Sequence, residues 1–312
     1  MTETSSKTGG MLFLHALTAV HPGSGTGLGV VDLPVMRERH TSWPLVPGST
    51  LKGVLRDAFR ERHAVDGDRK KANEEDGIIA LFGPASVTKD SQAFAGALSI
   101  SDARVLAFPV RSVKGVFAWV TCPEVLQRFR RDGTLVGLAD LPAIPELKEN
   151  EAACADKDTL CVDGKTLVLE EFDFTCTSEV PTLAKDLAEH IFPDDVLRES
   201  FQKRLVVLNN DDFTYFTRHA VEIVARIGLD YDTKTVKDKA LFYEEFLPPE
   251  TVFYALVLST RSRGGTSMKA LEVREKLGEL LAAGQVLQIG ADETIGKGLC
   301  NVRLFTNTEG RP

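Results

Sequence analysis

This chain of 312 residues lacks the common signatures of a stand-alone nucleotide enzyme or hydrolase. A P-loop needs GxxxxGK[ST] after a strand. The nearest stretch, Gly290 to Lys297, is one residue too long and puts Gly298 where the Mg²⁺-binding hydroxyl belongs. The glycines at 23, 25, 27 and 29 read GxGxGxG and miss the dinucleotide spacing GxGxxG. There is no HExxH and no GxSxG, which removes zincin and nucleophile-elbow chemistry. The five cysteines (Cys122, Cys154, Cys161, Cys176 and Cys300) are scattered, odd in number and without a CxxC pair. Their spacing suggests neither a zinc site nor a disulfide framework, and free thiols of a cytoplasmic protein are the expectation. No apolar run approaches the ~20 residues of a membrane span. Residues 1–10 are polar and small, with no apolar region behind a charged start, and read as a disordered tail.

What is present is a core-forming composition, 43% apolar and 26% charged, with a net charge of −8. An acidic chain does not attract polyanions by its overall field, so any such binding must be local. The charge is in fact uneven. From Val35 to Lys71 there are nine Lys or Arg against five Asp or Glu; from Asp140 to Glu199 there are five against sixteen. The first block suits nucleic acid, and the second must face elsewhere.

The apolar periodicity predicts a first strand within 11–20, then a glycine-rich loop at 21–30 and a helix opening near Ser49 as N-cap. In that helix Leu51, Val54, Leu55, Ala58 and Phe59 form a buried stripe, while Lys52, Arg56 and Arg60 lie four apart on another face. Residues 64–76 read as mobile and 140–180 as an irregular acidic insertion with a strand near "TLVLEEFDF". Further strands are expected at 96–107 and 115–121, a helix over 123–131, paired strands around a polar tip at 230–240, and a helix over 267–283 followed by Gly284 as its C′ residue. Strands alternating with single helices predict an α+β domain with a mainly antiparallel sheet.

Helix N-termini and bare backbone N–H groups in glycine loops are phosphate sites. Two such loops, at 23–29 and 290–298 (Gly290, Gly296, Gly298), flank the basic helix with Ser49 at its start. With Arg37, Arg39, Lys52, Arg56 and Lys297 they could hold a phosphodiester backbone without reading bases. Each feature alone has a plainer reading. A basic helix face is often only solvated, a glycine loop only a turn, and an Asp such as Asp32 a loop cap.

The stretch "HPGSGTGLGVVDLPVMRERHTSWPLVPGSTLKGVLRDAF" is similar to the N-terminal signature of RAMP-superfamily backbone subunits of type III CRISPR effector complexes. "ETIGKGLCNV" looks like that superfamily's C-terminal glycine loop, and "KALFYEEFLPPETVF" resembles a block of the Cmr (III-B) version. The resemblance implies a ferredoxin-like (RRM-like) core with insertions, forming a single RAMP domain over 11–312, with an acidic insertion about 140–200 and a protruding thumb hairpin about 221–247. It also implies an antiviral endoribonuclease that binds CRISPR RNA, stacks with further copies of itself and other Cmr subunits, and cuts complementary single-stranded target RNA at regular intervals. The family's cleaving aspartate falls on Asp32, which would also hold Mg²⁺ or Mn²⁺. His21, Tyr243, Glu244 and Glu245 fall near the cleavage site. A non-cleaving structural filament subunit and the equivalent type III-A (Csm) subunit are the rival readings. Independently of the resemblance, one carboxylate beside a phosphate can bind Mg²⁺ or orient an attacking 2′-hydroxyl.

Overall fold

The first apolar run forms strand β1 over Thr8–Ala16, buried at every position from Gly9 onward. A strand buried on both faces is the centre of a covered sheet. This computed structural model describes residues 8–306 except 28, 65–67, 86–92, 139 and 283–284, and only the backbone of 238 and 239. β1 corrects the expected tail, because Thr8, Gly9 and Gly10 belong to the strand. A Cβ on Gly9 would stand 2.8 Å from the Val257 carbonyl, so the missing side chains at Gly9 and Gly10 fit crowded neighbours; residues 1–7 of the expected tail lie outside the described residues.

After β1 and a long loop come β2 (Leu45–Val46), α1 (Gly48–Arg62), α2 (Arg69–Ala72), α3 (Asp76–Phe82), β3 (Leu98–Ile100), β4 (Ala103–Arg111), β5 (Phe117–Thr121) and α4 (Pro123–Thr134). Helix α1 buries Leu51, Leu55 and Phe59, as its periodicity requires. Its N-cap is Pro47, however, and not Ser49, which sits exposed in the first turn. The Gly48 N–H is satisfied from outside by the Asp102 carboxylate at 2.8 Å. The segment expected to be mobile carries α2, capped by Asp68 and anchored by buried Ala72.

The acidic stretch is likewise structured. It supplies β6 (Glu151–Cys154), α5 (Lys157–Leu160), β7 (Thr166–Leu169), β8 (Phe172–Glu179), α6 (Pro181–Ile191) and the start of α7 (Asp195–Arg204). Its carboxylates made it look irregular because many of them serve turns and helix starts. Asp156, Asp163 and Asp194 each accept backbone N–H groups there, the ordinary work of a capping carboxylate. The chain continues through β9 (Leu205–Leu208), α8 (Asn210–His219), β10 (Glu222–Leu229), β11 (Val236–Phe246), β12 (Val252–Ser259), α9 (Ala270–Leu280), β13 (Gln285–Gln288) and β14 (Leu299–Phe305). The expected cap Gly284 lies outside the described residues.

The sheet runs β13-β14-β1-β12-β4-β5-β9-β6-β8-β7, with β2 beside β4 and β3 beside β12. Its inner four strands, β14-β1-β12-β4, are antiparallel throughout. Helix α1 lies between β1 and β4 in sequence and α9 between β12 and β14, which is a β–α–β–β–α–β order. Everything from 112 to 251 is inserted between β4 and β12. Within it, β5 joins β9 and β6 joins β8 in parallel. The acidic strands therefore form one end of the sheet, with β12, β4, β5 and β9 between them and β1.

Strands β10 and β11 stand apart as a two-stranded hairpin. Ile223, Ile227, Leu229, Leu241 and Tyr231 on it and at its tip are exposed. A lone hairpin is marginal in water, and clustered exposed apolar side chains mark a contact surface.

Candidate active site

The loop after β1 is stitched to the base of that hairpin. Val20 and Leu247 exchange both backbone hydrogen bonds at 2.9 Å. The Leu33 N–H donates to the Tyr243 carbonyl, and the Glu245 N–H to the Leu33 carbonyl, each at 3.0 Å. Residues 31–35 thus lie along β11 like a short added strand. Asp32 is exposed on it. Its Oδ2 accepts the Tyr243 N–H at 2.8 Å, and its carbonyl accepts the Gly27 N–H at 2.7 Å. One carboxylate oxygen fixes the side chain, and Oδ1 has no hydrogen-bond partner among the described residues. Asp32 is therefore a backbone cap with one carboxylate oxygen left over.

Glu244 and Glu245 are successive residues of β11 and point to opposite faces. They are only 3% and 6% exposed, and a buried carboxylate needs a partner. Glu245 takes Arg37 at 2.5 Å on Oε1 and the Val35 N–H at 2.9 Å on Oε2. Glu244 takes Arg226 at 2.7 Å, and the same guanidinium nitrogen reaches Asp292 at 2.6 Å. The hydrogen bond to Glu244 leads in holding Arg226 above its ordinary pKa. His21 is buried between these groups. Its Nδ1 lies 2.6 Å from the Glu245 carbonyl and its Nε2 3.7 Å from Glu244. A carbonyl can only accept, so Nδ1 carries the proton and donates to it, while Nε2 faces Glu244. His21, Glu244 and Glu245 thus support the Asp32 loop from beneath. Tyr243 serves Asp32 through its backbone, while its side chain is 39% exposed.

The expected phosphate ligands divide. Arg37 is spent internally: besides Glu245 it donates to the Ser42 and Thr217 carbonyls at 3.0 and 2.9 Å. Lys52 donates to the Leu98 carbonyl at 3.1 Å and Arg56 to the Gly83 carbonyl at 3.0 Å. Burial, and in each case a neighbouring arginine, pulls both below their ordinary pKa values. The basic face of α1 is thus partly a set of bolts to β3 and α3. Lys52 still lines, with Ser49 and Arg263, a shallow cleft of about 340 Å³ at the start of α1. Arg39 is exposed and makes no hydrogen bond or ion pair among the described residues. The Lys297 ammonium rests 4.7 Å over the Phe246 ring at the foot of the hairpin.

The C-terminal glycine loop packs against the loop after β1. Ala291 N–H donates to the His21 carbonyl at 3.0 Å, and Gly298 N–H to the Ala19 carbonyl at 2.8 Å. Gly290 has φ +93°, and a Cβ there would fall 2.4 Å from the His21 carbonyl oxygen; Gly296 has φ +77° in open space. Gly290→Ala should therefore cost both left-handed strain and a backbone clash, together about 3 kcal/mol or more. Gly296→Ala should cost only the strain, about 1–2 kcal/mol. Denaturant unfolding of the two variants checks this; equal losses would remove the close approach to His21 as a constraint.

Arg226 and Asp292 escaped the sequence reading. Arg226 faces Phe242 across the hairpin, which makes Glu244 its diagonal neighbour on the same face, a relation visible only once the register is known. The donor set around Asp32 suits a hard cation only in a limited way. Among the described residues no group of three ligand side chains forms there. A single free carboxylate oxygen fits an ion that keeps its waters and arrives with RNA phosphates, as Mg²⁺ commonly does, and does not form a cage of its own.

Comparison with known proteins completes the picture. A family model described as the RAMP superfamily matches residues 13–301. The CRISPR system Cmr endoribonuclease Cmr4 of Pyrococcus furiosus is 39% identical over 303 residues, covering 95% of this chain and 96% of the relative. The crystal structure of oligomeric Cmr4 from Pyrococcus furiosus matches with a TM-score of 0.73 at 30% identity, covering 97% of this chain and all of that one. A chain in the cryo-electron-microscopy structure of the type III-B Cmr-beta bound to cognate target RNA matches with a TM-score of 0.70 at 21% identity, a likeness of fold; it covers 95% of this chain and 96% of that one.

Proposed function

This chain belongs to the RAMP superfamily, and from that premise we propose that it is the target-RNA-cleaving backbone subunit of a type III-B Cmr effector complex. In this reading it binds CRISPR RNA, stacks with further copies of itself and with other Cmr subunits, and cuts complementary RNA. The Pyrococcus furiosus relative carries the name endoribonuclease and has a structure described as oligomeric. No helix among the described residues is long and apolar enough to cross a membrane.

The observation that carries the reading is the Asp32 carboxylate, fixed by the Tyr243 N–H yet exposed, at the root of a hairpin with apolar faces. The hairpin would act as the thumb that wedges the guide–target duplex. The free Asp32 oxygen would accept the proton of, or align, the 2′-hydroxyl next to the scissile phosphate, and Tyr243 could stack on the displaced base. Few other protein groups are needed when the bent RNA itself sets in-line geometry. A divalent ion, if RNA brings one, would be held by Asp32 and would supply charge neutralisation at the phosphate. The test is to reconstitute the complex with a CRISPR RNA and challenge it with labelled complementary RNA. Cuts at a regular interval are expected. Stable binding without any cutting would leave the non-cleaving filament reading in its place.

Because Lys52 and Arg56 also hold the fold, removing them confuses stability with binding. Arg39 and Lys297 are the cleaner probes of phosphate contact. Arg39→Ala/Lys297→Ala should weaken RNA binding by the same factor for unrelated guide sequences. Its log–log salt dependence should flatten by about 0.7 per lost contact on a single strand. Fluorescence anisotropy across a salt series measures both; an unchanged slope would take these two cations out of the interface.

A further inference from the structure

Three of the five cysteines converge in the inserted part of the sheet. Cys154 lies on β6, Cys176 on the adjacent parallel strand β8, and Cys161 directly after α5. Their sulfurs all lie within 4.8 Å of one another, and all three residues are buried. Spacing suggests neither zinc nor a disulfide framework, because the residues that meet are separated in sequence and brought together by strand pairing.

We propose that Cys154, Cys161 and Cys176 form a thiolate site for a zinc ion that ties β6, the end of α5 and β8 together. A tetrahedral site with Zn–S about 2.3 Å has its sulfurs roughly 3.8 Å apart, so small rotations of side chains already grouped this closely would close it. Three mutually close sulfurs suit a metal better than a disulfide, which uses two and leaves the third over. Cys122 and Cys300 provide the contrast. Each is a solitary buried thiol. Lys157, at the start of α5 and within electrostatic reach of Cys161 and Cys176, would offset the negative charge of a zinc ion bound by three thiolates. No fourth His, Cys, Asp or Glu among the described residues joins the group, so water would complete the shell.

The experiment uses the full-length protein, freed of any polyhistidine tag and purified without chelator. Metal content by mass spectrometry should be about one zinc per chain, and X-ray absorption should give three sulfurs at about 2.3 Å. Cobalt exchanged into the site should show thiolate-to-metal charge transfer. Cys161→Ser should lose about tenfold of the zinc, while Cys122→Ser and Cys300→Ser keep it. If Cys161→Ser does not fold, the sulfur count of the unaltered protein decides alone. Overturning results are zinc below about a tenth per chain even after reconstitution, a shell of nitrogen and oxygen only, zinc kept in folded Cys161→Ser, or a disulfide between any two of the three.

Discussion

Asp32→Ala should lower target-RNA cleavage by about 10²-fold or more while leaving guide binding and filament assembly intact. The carboxylate is exposed, carries one oxygen without a partner among the described residues, and is fixed through the other by the Tyr243 N–H. Asp32→Asn sharpens the test, because its amide oxygen can still accept the Tyr243 N–H and keep the loop in place. If the acid acts chemically, Asn should be nearly as inactive as Ala. If it only caps the backbone, Asn should cut at close to the full rate. The assay is a labelled target RNA with the reconstituted complex and Mg²⁺, with a chelator control. Full-rate cutting by both variants would sink the assignment, and cutting indifferent to the chelator would sink the metal.

The largest stability effect should follow from Arg37→Met. Its side chain is 19% exposed and pairs with that of Glu245, whose side chain is 8% exposed. Removing one partner of a buried pair leaves the other charge uncompensated, at a cost of about 3–5 kcal/mol. The two carbonyls of Ser42 and Thr217 would lose their donor as well. Because Glu245 also holds the Val35 N–H and its own N–H holds Leu33, loosening it should shift Asp32, and cleavage should fall along with stability. Arg37→Met/Glu245→Gln should destabilise by less than the two single changes summed, since no unpaired charge remains. Unfolding in urea for all four proteins gives the coupling. A stability change within about 0.5 kcal/mol for Arg37→Met, joined to weaker RNA binding, would instead make Arg37 a surface phosphate ligand.

Local pattern alone was enough for β1, for the α1 stripe of Leu51, Leu55 and Phe59, and for the β10–β11 hairpin. Burying an apolar face imposes a period that survives in the sequence whatever the partner element is. Only the family resemblance grouped Asp32, His21, Glu244 and Glu245 before any coordinates, and they do meet at the base of the hairpin. Composition misled where residues serve neighbours remote in sequence. Gly9 looked like tail and is a crowded strand position; the acidic stretch looked irregular and supplies three strands and their caps. Charge pattern could not show that Arg37, Lys52 and Arg56 end on carbonyl and carboxylate oxygens inside the fold. The Arg226–Glu244–Asp292 chain needed the hairpin register, and the three-cysteine cluster needed the parallel pairing of β6 with β8. The division has one physical cause. Periodicity is set by the few residues of a single turn or pleat, whereas the partner of a charge or a thiol is set by which distant strands pair, and that only the whole chain's burial decides.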